Sequence, residues 1–113
     1  MYEYWATVVR VIDGDTVEAD VQLGFRVSLR TTFRLRGIDA PELRGAERPE
    51  GLAAKEYLQR SISELTHGTH ELTIRTHKDR TGKYGRYLAE LWIGDTNLNQ
   101  ALVTAGHAEL IST

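Results

Sequence analysis

Along this chain apolar and polar residues alternate with a period of two in one stretch after another, and a helical period takes over in only one long segment. A strand sends successive side chains to opposite faces, so such alternation describes strands with one face in a core and one in water. From Trp5 to Ile12, Thr7, Val8, Val9, Val11 and Ile12 predict a first strand, halted by the turn residues Asp13-Gly14-Asp15. Thr16 to Val21 predicts a second, with Val17, Ala19 and Val21 on its apolar face. After Gly24 the alternation is long: Phe25, Val27, Leu29, Phe33 and Leu35 share one face, and Arg26, Ser28, Arg30, Thr32, Arg34 and Arg36 the other. This third strand is expected to bend and serve both sides of a small barrel. It ends in Gly37-Ile38-Asp39-Ala40-Pro41-Glu42, where Pro41 has no backbone donor for a ladder, and a polar loop follows to Pro49.

Between Leu52 and Leu65 the residues Ala54, Leu58, Ile62 and Leu65 recur at spacings of four, four and three, which turns one helical face toward a core. His67-Gly68 closes that helix, with glycine available for a left-handed cap. Glu71 to Thr76 and Tyr87 to Ile93 alternate again as strands four and five, joined by a polar stretch from His77 to Gly85. Asn97-Leu98-Asn99-Gln100 has the form of a capping box and predicts a short helix to Ala105, with Leu98, Ala101, Leu102 and Ala105 inward and Gly106 at its end. The order is that of a mainly β, five-stranded OB-type barrel with one long helix after strand three and a short C-terminal helix. An SH3-like barrel or an α+β sandwich has the same periodicity.

A chain of 113 residues encloses one core, so residues 1–113 are expected to form a single domain. With 41% hydrophobic and 27% charged residues it is expected to be held by packing, as ordinary globular proteins are. The absence of cysteine excludes a disulfide framework and a thiolate metal site. The start, Met1-Tyr2-Glu3-Tyr4-Trp5, has no secretory pattern, which leads to the expectation of a cytoplasmic protein without a membrane partner; a processed secreted form stays open. A net charge of −2 excludes a protein that coats nucleic acid by bulk electrostatics. A local basic patch is still present, since Arg75, Lys78, Arg80, Lys83 and Arg86 face only Asp79; a solvated loop has the same composition.

The acids sit where a barrel presents its loops: Asp13 and Asp15 in the first turn, Asp39 and Glu42 at the end of strand three. Two carboxylates from separate elements, a backbone carbonyl and waters suit a hard cation such as calcium. Asp-Gly-Asp is also ordinary turn chemistry, and the third acid and following glycine of an EF-hand loop are missing. Arg34 and Arg86 offer permanently charged forks for phosphate oxygens, although each alone reads equally as a surface residue. His67, His70, His77 and His107 match no metal-binding spacing and are assigned to the surface. No Gly-x-Ser-x-Gly elbow is present for serine hydrolysis.

Three segments in order, Val11-Ile12-Asp13-Gly14-Asp15-Thr16-Val17, Phe33-Arg34-Leu35-Arg36-Gly37-Ile38-Asp39-Ala40-Pro41-Glu42 and Asp79-Arg80-Thr81-Gly82-Lys83-Tyr84-Gly85-Arg86, resemble the staphylococcal (micrococcal) nuclease family. The similarity runs from about Val8 through the short helix to Leu110. The resemblance implies an OB-fold nuclease that hydrolyses DNA or RNA with calcium and leaves 3′-phosphate ends. It implies Asp15 and Asp39 as calcium carboxylates, with Ala40 supplying its carbonyl where the family often has threonine. Glu42 then deprotonates or orients the attacking water, Arg34 and Arg86 clamp the scissile phosphate, and Lys83 and Tyr84 hold a neighbouring one. The departures are a shorter loop between Glu42 and Pro49, no counterpart of the founding member's last helix, and Ser112 where a substrate-stacking tyrosine is expected. A non-catalytic module of the same fold, binding nucleic acid or protein, is the alternative; endo or exo mode and monomer or homodimer are left open.

Overall fold

The structure, a computed structural model, describes residues 2–78 and 87–111, with Lys78 described in its backbone only. Lys83, Tyr84, Arg86 and Ser112 therefore lie outside the described residues. In chain order the elements are β1 (Tyr2–Asp13), β2 (Thr16–Gly24), β3 (Val27–Leu35), β4 (Ile38–Asp39), a 3-10 turn (Gly45–Glu47), α1 (Arg48–Leu65), β5 (Glu71–Lys78), β6 (Tyr87–Ile93), β7 (Thr96–Asn97), α2 (Leu98–Thr104) and β8 (Glu109–Leu110).

The five long strands follow one another in the sheet as β3-β2-β1-β5-β6, with β7 on the far edge of β6. A parallel pairing of Phe33–Leu35 with Tyr87–Ala89 then joins β3 to β6 and closes the barrel. Closure removes most of the exposed edge that an open sheet would leave. The result is the five-stranded OB-fold, which sets aside the SH3-like and sandwich alternatives. Val17, Ala19, Phe33, Leu35, Ile74 and Leu91 fill the interior from the walls, and Leu58 and Ile62 of α1 and Leu98 and Leu102 of α2 seal it. Among the described residues no helix is long and apolar enough to cross a membrane.

Several boundaries and faces differ from the periodicity reading, each for a physical reason. The expected inward face of β3 is inward only at Phe33 and Leu35; Phe25, Val27 and Leu29 are 101%, 53% and 56% exposed. Because β6 meets β3 only from Phe33 onward, the earlier part of the β2–β3 hairpin projects past the barrel, and among the described residues nothing roofs it. Helix α1 begins at Arg48 with Pro49 in its first turn, where a missing N–H leaves no bond unmade, so Pro49 opens the helix rather than ending a loop. Its last turn has passed beyond the core, which leaves Leu65 exposed and buries Thr66 instead. The Thr66 hydroxyl donates to the Ile62 carbonyl and accepts the His70 N–H. The expected left-handed closure is present at His67 (φ 53) and Gly68 (φ 81). Asn97 caps α2 by accepting from the N–H groups of Asn99 and Gln100, while Ala105 lies outside the core. Of the histidines assigned to the surface, His67 and His70 are exposed, but His77 and His107 are half-buried.

Candidate active site

The turn between β1 and β2 is built by its own side chains. Asp13 Oδ1 accepts the Asp15 N–H at 3.0 Å, the local bond by which aspartate stabilises a turn two residues on. Gly14 between them has no room for a side chain: a Cβ there would lie 2.7 Å from the Ala54 Cβ and 2.8 Å from the Ala40 Cβ. The turn thus docks between α1 and the segment after β4, and its backbone is tied to β3 by Leu35 N–H donating to the Asp15 carbonyl at 2.8 Å.

This docking aims the Asp15 carboxylate across the site. Its Oδ2 accepts the Ala40 N–H at 3.0 Å and its Oδ1 accepts the Thr16 hydroxyl at 3.1 Å. Burial first, and then the neighbouring Asp13 carboxylate, push the Asp15 carboxyl up from 3.8 to about 6, against the Ala40 N–H and Thr16 hydroxyl that favour its charged form. Arg34 stands opposite Thr16 on the outer face of β3. Its Nη2 lies 3.2 Å from Asp39 Oδ1 and 3.9 Å from Asp15 Oδ2, so one guanidinium nitrogen faces both carboxylates. Four of the anticipated residues, Asp15, Arg34, Asp39 and Ala40, are brought together from the first turn, β3 and the β4 segment.

Glu42 follows on the same loop and is exposed. Its backbone is fixed from two sides: its N–H donates to Glu47 Oε2 at 2.8 Å, and its carbonyl lies so close to Gly51 of α1 that a Cβ at Gly51 would collide with it. Among the described residues no hydrogen bond or ion pair joins the Glu42 side chain to Arg34, Asp15 or Asp39. Beside Asp39 opens a cleft of about 340 Å³ whose walls include Glu47, Glu50, His107 and Glu109, which makes this side of the site acidic. Asp39 itself is held by β8, through the pairing of Ile38 with Leu110 and of Asp39 with Glu109.

The donor set is compatible with calcium. Asp15 and Asp39 supply hard oxygens, and the raised Asp15 carboxyl marks a charge that its surroundings do not fully compensate. Among the described residues no group of three or more acids, histidines or cysteines is poised on one metal ion, so the two aspartates would be supplemented by a carbonyl and water.

Sequence reasoning missed three residues that hold the site. Gly14 and Gly51 permit close approaches that no local pattern signals. Asn99, read as a capping-box residue, is buried: its Nδ2 donates to the carbonyls of Arg36 and Ala89 at 3.0 Å each, and its Oδ1 accepts the Leu91 N–H at 3.1 Å. It fastens the segment just after β3 to β6. The half-buried His77 ring is hydrogen-bonded to Glu90, with its Nε2 2.7 Å from Oε2, an oxygen that also lies 3.9 Å from Arg36 Nη1.

The family model described as staphylococcal nuclease homologue matches residues 32–113, a span that includes Arg34, Asp39, Ala40 and Glu42 and begins after Asp15. The chain belongs to the staphylococcal nuclease family. Among the curated proteins similar to this family member is a thermonuclease of Staphylococcus hyicus, 29% identical over 104 residues that cover 89% of this chain and 56% of the relative. A thermonuclease of Staphylococcus intermedius is 31% identical over the same shares. An uncharacterised protein of Methanocaldococcus jannaschii is 28% identical over 130 residues, covering 95% of this chain and 59% of that protein. The chain thus spans somewhat more than half the length of these relatives of the nuclease family.

Proposed function

We propose that this chain, as one domain over residues 1–113, hydrolyses phosphodiester bonds of DNA or RNA with the help of calcium. The observation that carries the reading is the position of Arg34, whose Nη2 faces the Asp39 and Asp15 carboxylates at 3.2 and 3.9 Å. Opposed charges on one surface suit an anionic ester: the guanidinium binds the phosphate oxygens while the carboxylates retain a divalent cation. Asp15, Asp39 and the Ala40 carbonyl would hold the ion. Calcium, when bound, supplies Lewis-acid polarisation of the phosphate.

The remaining work falls to the side chains. Arg34 and Arg86 hold the non-bridging oxygens and take up the charge that grows on them as water adds to phosphorus. Glu42 orients that water or removes its proton, and the bond to the 5′ oxygen breaks to leave a 3′-phosphate. Lys83 and Tyr84 hold the neighbouring phosphate. Contacts to phosphate read no base, so both DNA and RNA fit the site.

The test is cleavage of single-stranded DNA, duplex DNA and RNA by the purified chain in calcium and then in chelator. Cleavage in calcium that chelator abolishes supports the reading. Undiminished cleavage in chelator overturns the calcium assignment, and no cleavage of any substrate leaves a non-catalytic binding module.

A further inference from the structure

A second polar cleft, of about 220 Å³, adjoins the site where β3 ends. Arg36 carries the β3–β6 pairing past Leu35, since its N–H donates to the Ala89 carbonyl at 2.9 Å. It stands two residues on from Arg34, about 7 Å of strand. Its side chain reaches across to β6, where Nη1 lies 3.9 Å from Glu90 Oε2. Arg36 and Glu90 line the cleft with Asn97, Gln100 and the exposed Leu110. The buried Asn99 also lines it, with its amide already bonded within the fold.

Glu90 is held from both sides, and its side chain is only 19% exposed. Its Oε2 is 2.7 Å from His77 Nε2, and its Oε1 accepts the Trp92 Nε1–H at 3.3 Å. The indole is in turn covered by the Arg75 guanidinium, 4.4 Å from the ring centre. An ionised carboxylate only accepts, and its two oxygens offer about four lone pairs. His77 and Trp92 use one on each oxygen, while Arg36 stands beyond hydrogen-bond range. One acceptor position is left on each oxygen, beside a guanidinium that can still donate. Such a pair is preorganised for a planar group with two adjacent N–H donors and an acceptor next to them.

Guanine is that group, since its N1–H and 2-amino group are adjacent donors and O6 adjoins them. Resting on the nuclease reading above, we infer that this cleft receives a guanine base of the nucleotide next to the phosphate held by Arg34. Glu90 accepts from N1–H and the 2-amino group, and Arg36 donates to O6. Uracil and thymine set a single donor between two acceptors, and adenine and cytosine have no second N–H donor beside their amino group. The opposite charges of Arg36 and Glu90 balance, so the cleft suits a neutral ring better than a further phosphate. Leu110 offers apolar surface to the face of the ring, and unpaired bases are read in this manner, by their edges and by contact with their faces.

Cleavage of a randomised single-stranded oligonucleotide pool by the full chain in calcium, with the new ends sequenced, tests this in the strand. The expected result is guanine enriched about tenfold or more at one position beside the cut. Hypoxanthine, which lacks only the 2-amino group, is expected to be cut more slowly than guanine at that position. In Glu90→Gln, whose fold circular dichroism checks, the two bases are expected to be cut alike. A second arm needs neither cleavage nor a variant. Guanosine 5′-monophosphate, titrated into the chain without calcium, is expected to shift the resonance of the Trp92 indole N–H, which shares the Glu90 carboxylate, and uridine 5′-monophosphate to leave it in place. Cleavage without base preference overturns the inference and leaves the nuclease reading intact, as does equal cutting of guanine and hypoxanthine by the original chain. A preference for guanine over hypoxanthine that Glu90→Gln retains also overturns it. If no strand is cut, the nuclease reading fails and the titration decides, with an equal response to both nucleotides overturning the guanine site as well.

Discussion

The Asp15 carboxylate accepts the backbone N–H of Ala40 at 3.0 Å, joining the first turn of the barrel to the segment that follows β4. This bond sets the Asp15 carboxylate against the segment that carries Asp39.

One expectation concerns pH. Asp15 titrates near 6 in the folded chain against 3.8 for the ordinary carboxyl, so the folded state holds the extra proton between those values. In the metal-free protein its contribution to stability is greatest below 3.8, declines as pH rises through about 6, and stays at its lowest above that. Asp15→Asn is therefore expected to stabilise the metal-free protein at pH 8 by about 1–2 kcal/mol, allowing for solvent screening, and to leave it unchanged near pH 3.5. Calcium should raise the melting temperature of the original chain much more at pH 7.5 than at pH 5, where the proton competes for the same oxygens. Thermal melts with and without the ion at both pH values measure this.

Cleavage kinetics address the proposed roles directly. Glu42→Gln and Arg86→Ala are each expected to slow hydrolysis about a hundredfold or more, the loss typical of one transition-state contact, with the barrel still folded. Near-normal rates in both variants would place the chemistry elsewhere.

The fit of the first turn can be tested without touching a charged group. Gly14→Ala drives a methyl group against Ala54 and Ala40, and overpacking of this kind costs about 1–3 kcal/mol. Combining it with Ala54→Gly should recover part of that loss in urea melts. A cost that the second change leaves untouched would mean that Ala54 is not what excludes the side chain.

Asn99→Ala should be among the most destabilising substitutions on the polar side of the barrel. It removes three hydrogen bonds and leaves the Arg36 carbonyl and the Leu91 N–H without the partner they have now, while the Ala89 carbonyl keeps the Arg36 N–H at 2.9 Å. A loss of about 2–4 kcal/mol is expected, since each buried group left unsatisfied costs about 1–3 kcal/mol when water cannot reach it. Equilibrium unfolding gives the value, and a change under 1 kcal/mol would show that water reaches them, as the scale of a single exposed bond implies.

The strands were legible because their local pattern and their burial agree: Val17, Ala19 and Val21 alternate in the sequence and lie inside the barrel. Val27 and Leu29 alternate in the same way and lie outside it, because roofing depends on where β6 arrives, and that is a long-range fact. The same limit applies to the site. The types and order of Asp15, Arg34, Asp39 and Glu42 carried the resemblance to the family, whereas Gly14 and Gly51 look like any turn or helix glycine until the backbone they touch is known. Asn99 was visible only as a cap, since its partners just after β3 and on β6 lie elsewhere in the chain.

The short ladder between β4 and β8 has a bearing on how the protein is made. Asp39 leaves the ribosome early, yet the strand that seats it, Glu109–Leu110, is translated last among the described elements. A nascent chain that stalls before that point carries Asp39 without its pairing strand, so this corner of the barrel is the last among the described elements to be joined up.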